Sequence, residues 1–153
     1  MNDSAMTTEE LEELINRQRS AAKLTKALSA EPAPPEALLD AWVELQVELL
    51  HICQEGKERA KDLKSKLPPD EYLPHGDNEV KIVTHCGHRS FSMHVIFEPE
   101  ARRIRWHSGK RGDEFSIAVQ DGKLCLLSRL HDPHYTIEEA ADFLYVALIW
   151  DRY

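Results

Sequence analysis

The chain has 153 residues, of which 42% are hydrophobic and 30% charged, and its net charge at pH 7 is −8. This is typical of a globular protein with one core, or one domain with an appendage. Its three cysteines form no disulfide pattern, its first residues lack the basic and apolar regions of a signal peptide, and its longest apolar run, Phe143–Trp150, is far shorter than the roughly 20 residues of a membrane span. We therefore expect a cytoplasmic protein without contact with a membrane.

A first helix is predicted over residues 7–30. Thr7 and Glu10 have the spacing of a capping box, in which each side chain accepts a hydrogen bond from a free backbone N–H of the other. Acidic residues fill the first turns and basic residues the later ones, as the helix dipole favours. The apolar stripe is thin, and the proline-rich residues 31–35 end the helix.

A second, longer helix is predicted from about Pro35 to Lys66. Its apolar residues recur in alternating steps of four and three, which is coiled-coil spacing, along a seam of Leu38, Trp42, Leu45, Leu49, Ile52 and Gly56. A second apolar stripe runs beside this seam, through Leu39, Val43, Val47, Leu50 and Cys53. The two helices together predict an N-terminal helical hairpin over residues 1–67.

Residues 68–79 are rich in proline and acidic residues, which predicts a linker without helix or strand. Beyond them, apolar residues alternate with polar ones, and this period of two predicts five short strands of an antiparallel meander. A last helix is predicted to begin at Thr136, which forms a second capping box with Glu139, and to end near Trp150. The predicted fold is therefore α+β, with the last helix packed on the sheet in a unit spanning residues 80–153.

Hairpin turns predict which side chains face each other across the sheet. A tight turn at Asp121 and Gly122 gives four facing pairs, namely Gln120–Lys123, Ala118–Cys125, Ser116–Leu127 and Glu114–Arg129. For the preceding hairpin we expect a longer loop at residues 108–113, with Trp106 opposite Phe115 and His107 opposite Glu114. Matching Phe97 to Arg102 or Ile104 places His94 opposite Arg105 or His107.

One face of this sheet is therefore predicted to carry charged and histidine side chains, namely His94, Arg103, Arg105, His107, Glu114 and Arg129. Two interpretations remain open. The face is either a solvent-exposed ladder of opposite charges, which stabilises a sheet modestly, or a surface that binds an anion or an acidic partner.

The segment Thr84–His94 contains His85, Cys86, His88 and His94, and it raises two chemical alternatives. Zinc sites take four Cys or His ligands as two close pairs. His85, Cys86 and His88 could supply the first pair, and the second pair would have to come from His131 and His134. No family spacing supports that site, and we predict no bound metal and no cofactor. An enzyme would need Cys86 as nucleophile with His88 or His94 as base, but no orienting Asp or Asn is evident.

The function that we favour is a non-enzymatic protein–protein interaction module, an adaptor or regulatory subunit that self-associates as a homo-oligomer. The sequence contains no recognisable catalytic or cofactor motif, and its helices carry more apolar surface than one small chain needs to bury. The residues predicted to bind a partner are Leu38, Trp42, Leu45, Leu49, Arg103, Arg105, His107, Leu148 and Trp150. A dimer is expected through the seam at residues 38–52 or the apolar face at residues 143–150.

A nucleic-acid-binding protein is a further alternative. The segment Arg102–Arg111 places basic residues around Trp106, and such a segment could hold phosphates and stack on bases. The net charge of −8 disfavours this interpretation, because the whole molecule would be repelled by nucleic acid.

Overall fold

A computed structural model describes residues 7–62, 70–86, 89–129 and 132–150 of the chain. The elements within these ranges are, in chain order, α1 (Thr8–Ser29), β1 (Glu31–Pro32), α2 (Pro35–Asp62), β2 (Glu71–Pro74), β3 (Glu79–Cys86), β4 (Arg89–Glu98), β5 (Arg103–Ser108), β6 (Arg111–Gln120), β7 (Lys123–Leu127), β8 (His134–Thr136) and α3 (Ile137–Trp150). A 3₁₀ turn at Pro99–Ala101 joins β4 to β5. The protein is thus α+β, with two N-terminal helices, an antiparallel sheet and a C-terminal helix.

The sheet follows the chain from β2 to β8, because each strand is hydrogen-bonded to the next one in sequence. Every pairing is antiparallel. The two-residue strand β1 lies outside this order and pairs with the end of β6, where Pro32 faces Ala118. The predicted meander is present, but five strands is the wrong number, since β2 and β8 extend it and β1 pairs with β6 outside its order.

Strand β2 lies in the segment whose composition predicted no regular structure. Its residues pair with β3 in full register, from Glu71 opposite Val83 to Pro74 opposite Val80. A proline is tolerated there because β2 is an edge strand, where a missing N–H need not break a ladder. The prediction that residues 68–79 contain no strand was therefore wrong, while the proposed division of the chain at residues 67 and 80 stays a prediction.

Helices α2 and α3 pack together on one face of the sheet, and an apolar core lies between them and the strands. Trp42 of α2 stacks on Phe97 of β4 with ring centroids 5.5 Å apart, and its indole Nε1 donates a hydrogen bond to the backbone carbonyl of Asp77 at 2.8 Å. From α3, Phe143 lies edge-on to Trp106 of β5. The other side of the sheet is called the outer face below.

Helix α1 is placed differently from α2. It begins with the predicted capping box of Thr7 and Glu10, and it contacts β8 and β6. None of its residues is buried. Its attachment depends on Lys23, whose Nζ lies 2.8 Å from the Asp132 carboxylate and above the ring of Tyr135, and on a hydrogen bond from Gln120 to Ser29. The packing of α1 therefore uses little of its apolar surface.

Candidate functional site

Three residues of β5 that were predicted to bind a partner point to the outer face. Arg103, Arg105 and His107 alternate with Ile104 and Trp106, both of which are buried. Arg105 and His107 are exposed, and Arg103 is half-buried. The alternation therefore predicted correctly which side chains of this strand face outward.

Carboxylates neutralise much of the basic charge on the outer face. The Arg103 guanidinium lies 2.9 Å from Glu98 and 2.8 Å from Glu114, and Arg105 lies 3.3 Å from Glu98. The hydrogen bond to Glu98 is the main reason that the pKa of Arg103 is raised above its ordinary value. Pairs that remain in contact with solvent add little stability, but they leave fewer free positive charges for a phosphate backbone.

A histidine pair lies beside this network. His94 and His107 face each other across β4 and β5, and their rings stack with centroids 4.7 Å apart. The Nδ1 atom of His94 is 2.9 Å from a carboxylate oxygen of Glu79. The placement of His94 opposite His107 was one of the two predicted alternatives, and the structure confirms it together with Phe97 opposite Ile104.

The register of the hairpin formed by β5 and β6 differs from the prediction. Its turn is the two residues Gly109 and Lys110, so Ser108 faces Arg111 and no long loop exists. Trp106 faces Asp113 and Ile104 faces Phe115, which means that the predicted pairing was wrong by two residues. His107 consequently lies opposite Gly112 instead of Glu114. The β6–β7 hairpin has the predicted register from Gln120–Lys123 to Ser116–Leu127, but β7 ends before Arg129.

A cleft of about 600 Å³ lies where β7 has ended beside β6, and its walls include Arg105, His107, Glu114 and Arg129. Gly112 also lines the cleft, and a Cβ at this position would lie 3.0 Å from the carbonyl oxygen of Trp106. The cleft contains basic and acidic groups in similar number, so its charge selects neither an anion nor a cation.

The seam residues of α2 form the core of this chain. Leu38, Trp42, Leu45 and Leu49 are all buried against the chain's own sheet and α3, and Leu148 of α3 is buried as well. A partner has no access to them in this fold, which corrects their assignment as partner-binding residues. The side chain of Trp150 lies outside the described residues.

The apolar surface that α2 leaves exposed is most of its second stripe, namely Leu39, Val43, Val47 and Leu50, called the α2 stripe below. Cys53, the last residue predicted for that stripe, is buried in the core. Leu39 is 59% exposed and Val43 is 48% exposed. Each of the first three stripe residues is followed by an acid, which gives an acidic row of Asp40, Glu44 and Glu48. No basic group pairs with this row among the described residues. The sequence revealed the stripe, but not that it lies on the outside.

Helix α1 exposes further apolar side chains, namely Leu11, Leu14, Ile15, Leu24 and Leu28. Leu28 is 79% exposed, which is the highest value among the large apolar residues that the structure describes. Isolated exposed apolar residues are ordinary in proteins, whereas contiguous patches mark interaction surfaces. Two neighbouring helices of this chain thus each present an apolar face that the core does not use.

A buried polar cluster joins β2, β3 and α3. The carboxylate of Asp70 accepts a hydrogen bond from the Thr84 hydroxyl at 2.8 Å and another from the hydroxyl of Tyr145. Asp70 and Thr84 are both buried. A buried carboxylate must be hydrogen-bonded to be tolerated. This cluster therefore has a structural role: its hydrogen bonds connect the start of β2 to the C-terminal helix.

His134 of β8 is a second buried polar residue. Its Nε2 atom has no hydrogen-bond partner within the described residues. Burial, together with the nearby charge of Lys26, lowers the pKa of His134 below its ordinary value, while Glu139 acts in the opposite direction. The imidazole is therefore held neutral in the folded chain at pH 7.

We expect His134 to make the protein less stable in mild acid. Above a pH of about 6.5 the residue is neutral in both the folded and unfolded chains. Below that value the unfolded chain binds a proton that the folded chain resists, so stability falls by at most ~1.4 kcal/mol per pH unit from this group. Urea unfolding at several pH values should show a shallower loss in His134→Gln. An equal slope in the variant would mean that other groups cause the loss.

Metal binding and cysteine catalysis gain no geometric support. Within the described ranges, no cluster of three or more histidine, cysteine or acidic residues could hold a metal ion. His85 contacts Ser90 and Glu71. The side chain of Cys86, and all of His88 and His131, lie outside the described residues, so both alternatives stay untested predictions. Cys125 is buried, and burial raises the pKa of its thiol, which disfavours the reactive thiolate.

Comparison of the chain with protein families, with curated proteins and with solved structures gave no match. Across the described part of the chain, no helix is both long enough and apolar enough to cross a bilayer.

Proposed function

We propose that this chain is a non-enzymatic protein–protein interaction module, an adaptor or regulatory subunit of the cytoplasm that also self-associates. The observation that carries the proposal is the α2 stripe. Its four residues recur at steps of four, four and three, so they lie along one side of the helix, and each is at least 37% exposed. An exposed apolar row with a charged border is the usual design of a surface that binds another helix.

The composition of the core supports this proposal. Trp42, Leu45 and Leu49 belong to the core between α2 and the sheet, whereas the residues of the α2 stripe do not. Large exposed apolar side chains lower the solubility of a protein and promote its aggregation. A binding role accounts for large apolar side chains that lie outside the core.

We expect Val43→Glu/Val47→Glu to abolish self-association without unfolding the protein. Both side chains are exposed, and surface substitutions usually change stability by less than about 0.5 kcal/mol. Light scattering over a wide range of protein concentrations measures the mass, and a thermal melt verifies the fold.

A matched control is Val146→Glu on α3, because Val146 is 49% exposed and lies in the other predicted interface at residues 143–150. Loss of self-association in Val146→Glu alone would move the interface to α3. A wild-type protein that keeps the mass of one chain at every concentration would contradict self-association.

A further inference from the structure

We propose that the α2 stripe is covered by helix α1 of a second copy of this chain, and that two copies exchange these contacts reciprocally in a dimer. This inference depends on the proposed function, since it names the partner of the same surface. It follows from three observations: the shortage of packing around α1, the bases beside the apolar face of α1, and the acidic row beside the α2 stripe.

The first observation is that α1 lacks the packing that a helix normally needs. Most of the stability of helices in proteins comes from burying an amphipathic face, and nucleation makes isolated helices marginal. None of the 22 residues of α1 is buried, although the helix carries five large apolar side chains that packing could bury. Lys23 and Ala27 are half-buried toward the body of the protein, whereas Leu11, Leu14 and Leu28 are exposed.

The second observation is the charge beside the α1 apolar face. Arg19 lies one turn after Ile15, and Lys26 lies one turn after Ala22, so both bases continue the edge of that face. Neither has a carboxylate partner among the residues that the structure describes. By contrast, Arg17 is paired with Glu13, and Lys23 with Asp132. Two bases of α1 are therefore free to contact an acidic surface.

The third observation is the acidic row beside the α2 stripe. Asp40, Glu44 and Glu48 follow Leu39, Val43 and Val47 along the helix, and the described residues offer them no counter-charge. From Ile15 onward the α1 face is bordered by Arg19 and Lys26, whereas its first turns carry Glu9, Glu10, Glu12 and Glu13. The acidic row of α2 therefore matches the later turns of α1, and such complementarity directs association and selects the partner. A reciprocal exchange gives a closed two-fold dimer, the commonest symmetric assembly, and it covers both faces of both chains.

The test reverses the charge on each helix in the full-length protein. An acid-to-base variant carries Glu44→Lys/Glu48→Lys, and a base-to-acid variant carries Arg19→Glu/Lys26→Glu. In each homodimer the two borders then have the same sign at both copies of the contact, and we expect dimerisation to weaken by about tenfold or more. A charge-matched control, Asp77→Lys/Glu100→Lys, changes exposed acids elsewhere and should dimerise like the wild type.

The decisive measurement is an equal mixture of the two variants. In a mixed pair, the basic α1 of one chain meets the acidic α2 of the other, and the acidic α1 meets the basic α2. We therefore expect the mixture to form dimers by light scattering, although neither variant does so alone, and the four-substitution chain to dimerise as well. Circular dichroism of each variant verifies that the helices and sheet are intact.

Other results would overturn the exchange. Weakening in the base-to-acid variant alone would indicate pairing between the two α1 helices. Normal dimerisation in both variants, with loss in Val43→Glu/Val47→Glu, would leave the proposed function standing and remove α1 as the occupant. A folded wild type that never dimerises would contradict the inference and the self-association on which it depends.

Discussion

Trp106→Ala is expected to lower the free energy of unfolding by about 3–5 kcal/mol, the usual cost of truncating a large buried aromatic residue. The Trp106 side chain is 2% exposed and lies between β5 and α3. The ring of Phe143 packs edge-on against it, with the ring centroids 5.8 Å apart. Removal of the indole leaves a cavity that a sheet and a helix on either side cannot close. Chemical denaturation of the variant and the wild type measures the difference.

The neighbouring change Arg105→Glu provides the control. Its guanidinium is exposed and holds Glu98 at 3.3 Å, and exposed ion pairs contribute at most about 1 kcal/mol. We expect a small loss, since Glu98 and Glu114 then lie near a third carboxylate. If Arg105→Glu unfolds the protein and Trp106→Ala does not, the inward and outward faces of β5 are reversed. If Arg105→Glu also abolishes the binding of a partner protein, the outer face takes part in that binding.

The outward side chains of β5 could be predicted even though their partners in β6 could not. Alternation identified Trp106 as inward and Arg105 as outward, and a register error of two residues does not change this, because strand side chains repeat every two residues. The tight turn at Asp121 and Gly122, where both residues have positive φ, determined the register of the β6–β7 hairpin. At residues 108–113 several turn-forming residues competed, and the sequence does not show that Gly109 and Lys110 alone make the turn.

Strands β2 and β8 escaped prediction for a different reason. Each is only a few residues long, so neither shows a period, and each is formed by pairing with a neighbour in the sheet. The same limit applies to α2, where two apolar stripes lie side by side. Which of them faces the core depends on the shape of the sheet, and Trp42 decides it by stacking on Phe97. The exposed stripe, and with it the candidate interface, could therefore not be assigned from periodicity.

Asp70→Ala is expected to destabilise the protein by about 1–3 kcal/mol, the usual cost of a buried group left unsatisfied, because it removes the carboxylate that accepts from the buried hydroxyl of Thr84 and from the half-buried hydroxyl of Tyr145. Both hydrogen bonds converge on this one side chain. Asp70→Asn should cost less, since the amide keeps one oxygen as an acceptor. Asp142→Ala on α3 is the control, because that carboxylate is exposed and its loss should change stability by less than about 0.5 kcal/mol.

A double-mutant cycle with Tyr145→Phe separates the fastening of β2 to α3 from a general effect of removing a buried charge. If the Asp70 carboxylate acts through the Tyr145 hydroxyl, the two substitutions together should cost clearly less than the sum of their separate costs, because the second one removes a group that has already lost its partner. Hydrogen exchange should then show β2 and the end of α3 opening more readily in either single variant. Fully additive costs, with exchange unchanged in α3, would mean that Asp70 stabilises the protein through Thr84 and its own strand, and not through Tyr145.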